Sequence, residues 1–229
     1  MRARDALDSF LLLPGNCIAC GAAAGRRADL CAACEADLPW LHSACRHCAL
    51  PAPPGTGACG RCLRRPPPQR QAVAAFLYGF PINSLVQRFK FHGDRVAGRV
   101  LAERLATALE NRDGSPVLVP VPLSRVRERD RGFNQAALIA NDLAARLGLA
   151  VDESLVARVR HTEEQSGKSA AERRRNLRGA FALMGTAVPA HVAIVDDVMT
   201  TGSTIHEIAR LLLAGGVKRV DAWVVARTP

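Results

Sequence analysis

All eight cysteines of the chain fall within its first 62 residues, as four Cys-x-x-Cys pairs: Cys17/Cys20, Cys31/Cys34, Cys45/Cys48 and Cys59/Cys62. Ten residues separate each pair from the next. Such a pair sets two thiolates on one side of a tight turn, where they can occupy two corners of a Zn²⁺ tetrahedron. Two pairs close one site, so the segment predicts two structural zinc ions. The equal spacing leaves two pairings open, a sequential one and a cross-braced one (first with third, second with fourth). Disulfides are the competing reading, and they need an oxidising compartment. Residues 1–14 hold a single short apolar run at 10–13, too short for a secretory core, and no segment approaches a transmembrane span. The expectation is a cytoplasmic protein with no membrane insertion, its thiols on metal. Apolar residues are too few in this stretch for it to fold alone, so metal should supply its folding energy. His42 and His47 lie among the pairs, but eight thiolates already satisfy two ions.

A second feature lies near the other end. Residues 192–204 read Val-Ala-Ile-Val-Asp-Asp-Val-Met-Thr-Thr-Gly-Ser-Thr. A fully apolar run of strand length ends on two adjacent acids, and a short polar loop then opens an amphipathic helix. In α/β proteins a strand end, a glycine-containing loop and a helix N-terminus together make an anion site, because free backbone N–H groups and the helix dipole converge there. The hydroxyls of the loop add donors. Two acids at the rim suit sugar hydroxyls or a hard Mg²⁺ ion. Together they suit a phosphorylated sugar with a metal. The segment resembles, position by position, the phosphoribosyl pyrophosphate (PRPP) motif of the type I phosphoribosyltransferases. That resemblance implies catalytic Asp196 and Asp197 holding the ribose hydroxyls. It also implies a phosphate loop formed by Val198, Met199, Thr200, Thr201, Gly202, Ser203 and Thr204, with Mg²⁺ accompanying PRPP.

Between these features the pattern alternates. Strands are expected at 73–78, 117–122, 155–159, 192–195 and 220–226, and helices at 82–91, 95–109, 134–147 and 203–214. Alternation of this kind predicts an α/β fold, a parallel sheet flanked by helices. With 48% hydrophobic residues the chain can bury a core of that kind. The expected division is a double zinc-ribbon module at 1–63, a Pro/Arg linker at 64–71 and a phosphoribosyltransferase-like domain at 72–229.

The net charge of +10 suits polyanionic partners such as PRPP, pyrophosphate or nucleic acid, although solubility alone can account for it. Its densest concentration is residues 124–134, Ser-Arg-Val-Arg-Glu-Arg-Asp-Arg-Gly-Phe-Asn, read as a loop after the 117–122 strand. Arg125, Arg127, Arg129 and Arg131 alternate there, and guanidinium forks bind phosphate bidentately, which suits pyrophosphate or a DNA backbone. Residues 158–178 form a second basic stretch that includes Lys168. It stands where type I phosphoribosyltransferases carry a mobile hood. Five of the ten aromatics, Phe76, Tyr78, Phe80, Phe89 and Phe91, cluster beside Arg88 and Lys90. Their spacing favours core packing over an exposed base-stacking platform.

Taken together, the cysteine pairs, Lys90-Phe91-His92-Gly93-Asp94, residues 129–135 (Arg-Asp-Arg-Gly-Phe-Asn-Gln), Arg174-x-Asn176 and the 196–202 motif resemble the ComF competence-protein family. This resemblance spans essentially the whole chain. It implies a role in internalising or using single-stranded DNA and a DNA-translocating helicase as partner. Purine-salvage phosphoribosyltransferases carry an Asp where Thr200 stands, so hypoxanthine or guanine salvage loses support. Two other functions fit the same residues: a nucleobase phosphoribosyltransferase with a zinc appendage, and a non-catalytic DNA-binding adaptor.

Overall fold

The structure is a computed structural model that describes residues 15–24, 29–160 and 176–229. Its centre is a four-stranded, wholly parallel sheet. In chain order the elements are α1 (Ala32–Ala36), α2 (Gly60–Arg64), β1 (Gln71–Leu77), α3 (Ile82–His92), α4 (Arg95–Ala108), β2 (Val117–Pro120) and α5 (Arg125–Arg131). There follow α6 (Gln135–Leu147), β3 (Val156–Arg158), β4 (Phe181–Leu183), β5 (His191–Met199), α7 (Ser203–Ala214) and β6 (Arg219–Arg227). The strand order is β1-β6-β5-β2, and β3 and β4 form a separate antiparallel pair. The expected α/β class therefore holds.

Consecutive strand residues face opposite sides of a sheet, and both sides here are apolar. Ala193, Val195, Trp223 and Val225 pack with α3, α4 and α6 through Leu85, Phe89, Leu101, Leu105, Ile139 and Leu143. Val192, Ile194, Ala222 and Val224 pack with α7 and the β3–β4 pair through Ile205, Ile208, Leu212 and Phe181. A sheet covered on both faces explains why the central strands read as unbroken apolar runs.

Local chemistry sets the ends of these elements. α3 stops at Gly93 in the left-handed region (φ 64°), and Asp94 caps α4 by accepting from the Ala97 N–H at 3.0 Å. Asp94 also pairs with Arg88 at 2.6 Å, so one acid joins both helices. Gly98 is small for a packing reason: a Cβ there would come within 2.6 Å of the Phe89 ring.

Several boundaries differ from expectation, and two of the differences bear on the site. The motif strand does not stop at Val195 but runs to Met199, because its backbone pairing with β6 continues as far as Arg227. Residues 124–134 are not a loop. Ser124 caps a helical turn by accepting from the Arg127 N–H at 3.4 Å, and α5 runs to Gly132 at φ 76°. Asn134 then caps α6, its Oδ1 accepting from the Ala136 N–H at 3.0 Å. Two polar residues with capping chemistry, Ser124 and Asn134, turned a charged stretch into two helix starts.

The cysteine-rich half lies against the sheet and α3/α4. Cys17, Ala24, Leu30 and Leu38 belong to the same apolar core as Trp223. Trp40 bridges to Phe76 across the free edge of β1, with ring centroids 4.6 Å apart. Among the described residues no helix is long and apolar enough to cross a membrane.

Candidate functional site

The cysteines form two groups, Cys17/Cys20/Cys31/Cys34 and Cys45/Cys48/Cys59/Cys62, with the sulfurs of each group all within 4.8 Å of one another. The sequential pairing is therefore the one adopted. A tetrahedron with Zn–S bonds of about 2.3 Å has S···S edges of about 3.8 Å. Cys20–Cys31 and Cys48–Cys59 both stand at 3.8 Å. Neither His42 nor His47 joins a group, and His47 instead bonds the Arg70 carbonyl oxygen at 2.8 Å. At Cys17 and Cys45 backbone N–H groups also favour the thiolate form. Burial alone would raise the Cys45 thiol, but donors from Cys59, His47 and Cys48 bring it down to about 6. Both groups thus fit closed structural zinc sites.

The second site forms where the sheet's carboxyl edge opens. A cavity of about 520 Å³ is lined by Asp196, Asp197 and every residue of 198–204, along with Lys90, Arg127, Arg131, Arg158 and others. Being consecutive in β5, the two acids leave the strand on opposite faces. Asp197 points to the α3 side, where Lys90 Nζ meets its Oδ2 at 2.7 Å; the pair is largely buried, at 24% and 8% side-chain exposure. Loss of solvent alone would lower the Lys90 pKa, but Asp197 and Asp196 raise it, so the ammonium is held charged. Burial, reinforced by repulsion from Asp197, pushes Asp196 up to about 8. The dyad therefore carries less negative charge at neutral pH than its formula suggests.

Val198 and Met199 sit in the strand and Thr200 to Thr204 make the turn into α7. Gly202 adopts φ 76°, and a Cβ there would lie 2.6 Å from Met199 Cε and 3.0 Å from His206 Nε2. Only glycine gives this turn without strain. The Thr201 and Ser203 hydroxyls stand 2.8 Å apart, facing the N-terminus of α7.

Helical geometry divides the expected arginine cluster. Positions two apart point to opposite sides of a helix, whereas positions four apart share a face. Arg127 and Arg131 therefore line the cavity, while Arg129 lies exposed and does not. Arg125 opens the helix. Lys168 lies outside the described residues, as do Gln165, Gly167 and 173–175 of the expected hood. Arg158, Asn176 and Leu177, which flank that gap, line the cavity.

Two residues of the site were not singled out for it from sequence. Lys90 reads as one cation on an amphipathic helix, and the packing of α3 brings it to Asp197. Arg227, at the end of β6, is 3% exposed. Its Nε donates to the Cys48 carbonyl oxygen at 2.8 Å and its Nη1 to the Met199 oxygen at 3.0 Å. Nη1 also contacts the Thr200 and Thr228 oxygens. One buried guanidinium thus ties the second cysteine group to the start of the phosphate loop. Nothing in an Ala-Arg-Thr-Pro terminus signals this.

The aromatics divide as well. Phe76 and Phe89 are buried, but Phe80 and Phe91 are 82% and 66% exposed, against the expectation of core packing.

Comparison with known proteins adds the following. A family model for the double zinc ribbon domain matches residues 9–63, and one for the phosphoribosyl transferase domain matches residues 133–229. The chain is 39% identical over 223 residues to a DNA utilization protein of Salmonella typhimurium, covering 93% of this chain and 91% of that one. It is 39% identical over 156 residues to competence protein F of Haemophilus influenzae, covering 64% and 68% respectively. It is 30% identical over 154 residues to competence protein ComFC of Streptococcus pneumoniae, covering 67% of each.

Proposed function

We propose, from the premise that the chain belongs to the ComF family of competence and DNA utilization proteins, that it assists the uptake or use of single-stranded DNA and binds a phosphoribosyl ligand, PRPP or a relative. The single observation that carries the ligand is the meeting of Asp196, Asp197 and the Gly202 turn at the N-terminus of α7, inside one cavity. Backbone N–H groups of residues 201–204 and the Thr and Ser hydroxyls suit a 5′-phosphate. The two carboxylates are suited to accept from ribose hydroxyls. Arg127 and Arg131 stand where a pyrophosphate would need charge. Mg²⁺, when bound with the ligand, would neutralise the pyrophosphate oxygens.

The working division is a zinc module at 1–63, a joint at 64–71 and a phosphoribosyl domain at 72–229. Docking to a DNA-translocating helicase is the partner reading, supported by family resemblance. Any transfer at this site would break the bond from the ribose anomeric carbon to pyrophosphate and form one to an acceptor base. Thr200, in place of the Asp of purine-salvage enzymes, weighs against hypoxanthine and guanine as that acceptor.

PRPP titration of wild type and Asp197→Asn, with pyrophosphate release followed over a panel of bases, tests the reading. The expected result is saturable PRPP binding weakened about ten-fold or more in the variant, since a charge-assisted hydrogen bond is worth about 1.5–3 kcal/mol. Absence of PRPP binding by the folded wild type would overturn it. Binding without release on any base would make PRPP a ligand rather than a substrate.

A further inference from the structure

A second cleft of about 530 Å³ adjoins the phosphate-loop cavity and shares Lys90, Arg127 and Arg131 with it. Phe91 lines it from the last turn of α3 with its ring 66% exposed. The Arg131 guanidinium carbon lies over one face of that ring, 5.3 Å from its centroid, so a base would stack on the other face. Phe133 also lines the cleft and packs against the buried Phe89, at 5.7 Å between centroids. His92 adds a further basic side chain, and among the described residues Asp130 is the one acid in the lining. An exposed ring beside a guanidinium, inside a basic cleft, is the arrangement that stacks a nucleic-acid base while its phosphates meet cations.

We propose that this cleft stacks one unpaired base of a single-stranded polynucleotide on Phe91, with Arg127 and Arg131 against the adjoining phosphates. The inference rests on the reading that the protein handles single-stranded DNA, and it names where and how the strand is held. A duplex does not fit the chemistry, because the faces of its bases are covered by their neighbours. A free neutral base would gain little from the surrounding cations, whereas a strand uses both the ring and the charge. Arg127 and Arg131 stand in the wall shared with the phosphate-loop cavity.

The test measures binding of a short oligothymidylate, and of an abasic oligomer of equal length, across a salt series. Wild type is expected to favour the oligothymidylate by about ten-fold, within the range for one stacked base. Phe91→Ala and Phe91→Leu should abolish that preference, Phe91→Trp should keep it, and none should change the slope of log affinity against log salt. Arg131→Gln should lower that slope by about one. PRPP affinity, measured alongside, reports that the Phe91 variants are folded, since Phe91 lies outside the first cavity. A preference that survives in folded Phe91→Ala and Phe91→Leu would overturn the stacking site and leave DNA binding elsewhere. Equal binding of both oligomers by wild type would overturn it too, leaving a purely electrostatic surface. If wild type bound neither oligomer even at low salt, the DNA reading itself would fall and the stacking site with it.

Discussion

Asp196 and Asp197 are neighbours in sequence and opposites in environment. Asp197 has Lys90 against it at 2.7 Å, while burial and the adjacent carboxylate push Asp196 up to about 8. The folded protein therefore retains a proton on Asp196 that the unfolded chain releases near pH 4. Stability from this group is fully present below about pH 4 and is lost as pH rises through about 8. Asp196→Asn should remove that dependence and leave the ligand-free variant more stable than wild type at pH 8. About 1 kcal/mol is expected, or roughly 2–4 °C in Tm, read from melting curves of both proteins between pH 5 and 9. Parallel curves for the two would contradict the assignment. Both acids are legible in the sequence, because an apolar run of strand length ends on them. The difference between them is not: it arises from the alternation of β5 and from the face on which α3 lies.

At the scale of elements, the arginines of residues 125–131 show how a spacing is misread when the period is wrong. Alternate positions crowd together only on an extended strand. In a helix they split, so Arg127 and Arg131 reach the cavity and Arg129 does not. The capping residues Ser124 and Asn134 were the signal that could have revealed this, since each precedes a helix start and each side chain caps it. Arg227 carries a longer-range consequence. Its guanidinium spans the Cys48 carbonyl and the carbonyls that begin the phosphate loop. Burial holds its pKa below the usual arginine value, and the nearby Cys48, Cys59 and Cys62 offset this only in part. Arg227→Met keeps the aliphatic stem but removes the guanidinium donor from the Cys48 carbonyl and leaves the Met199 oxygen with only the Thr228 N–H. It should cost about 3 kcal/mol in denaturant unfolding. PRPP affinity should fall in the same variant, and chelation of zinc from wild type should lower PRPP affinity as well. Unchanged PRPP affinity in a folded Arg227→Met would show that the loop holds its shape without the tie.

Across the whole molecule, the zinc half and the sheet share a core. Trp40 closes the edge of β1, and Arg99–Asp29 and Arg104–Glu35 pair at 2.7 and 2.6 Å between the helices and the cysteine-rich half. The fold class was legible because strand and helix periods alternate, and the zinc sites were legible because cysteines recur in pairs. Equal ten-residue spacers gave no preference between sequential and cross-braced pairing, and contacts between distant segments have no local signature. The proposed phosphoribosyl ligand sits at the sheet's carboxyl edge, with its phosphate on the turn between β5 and α7. Backbone amide NMR of the zinc-loaded, isotope-labelled protein during a PRPP titration tests this most directly. Saturable shifts are expected, centred on the amides of Thr201, Gly202, Ser203 and Thr204, with Asp196 and Asp197 beside them. Saturating PRPP that leaves these amides unmoved, or that shifts only residues of the cysteine-rich half, would contradict it.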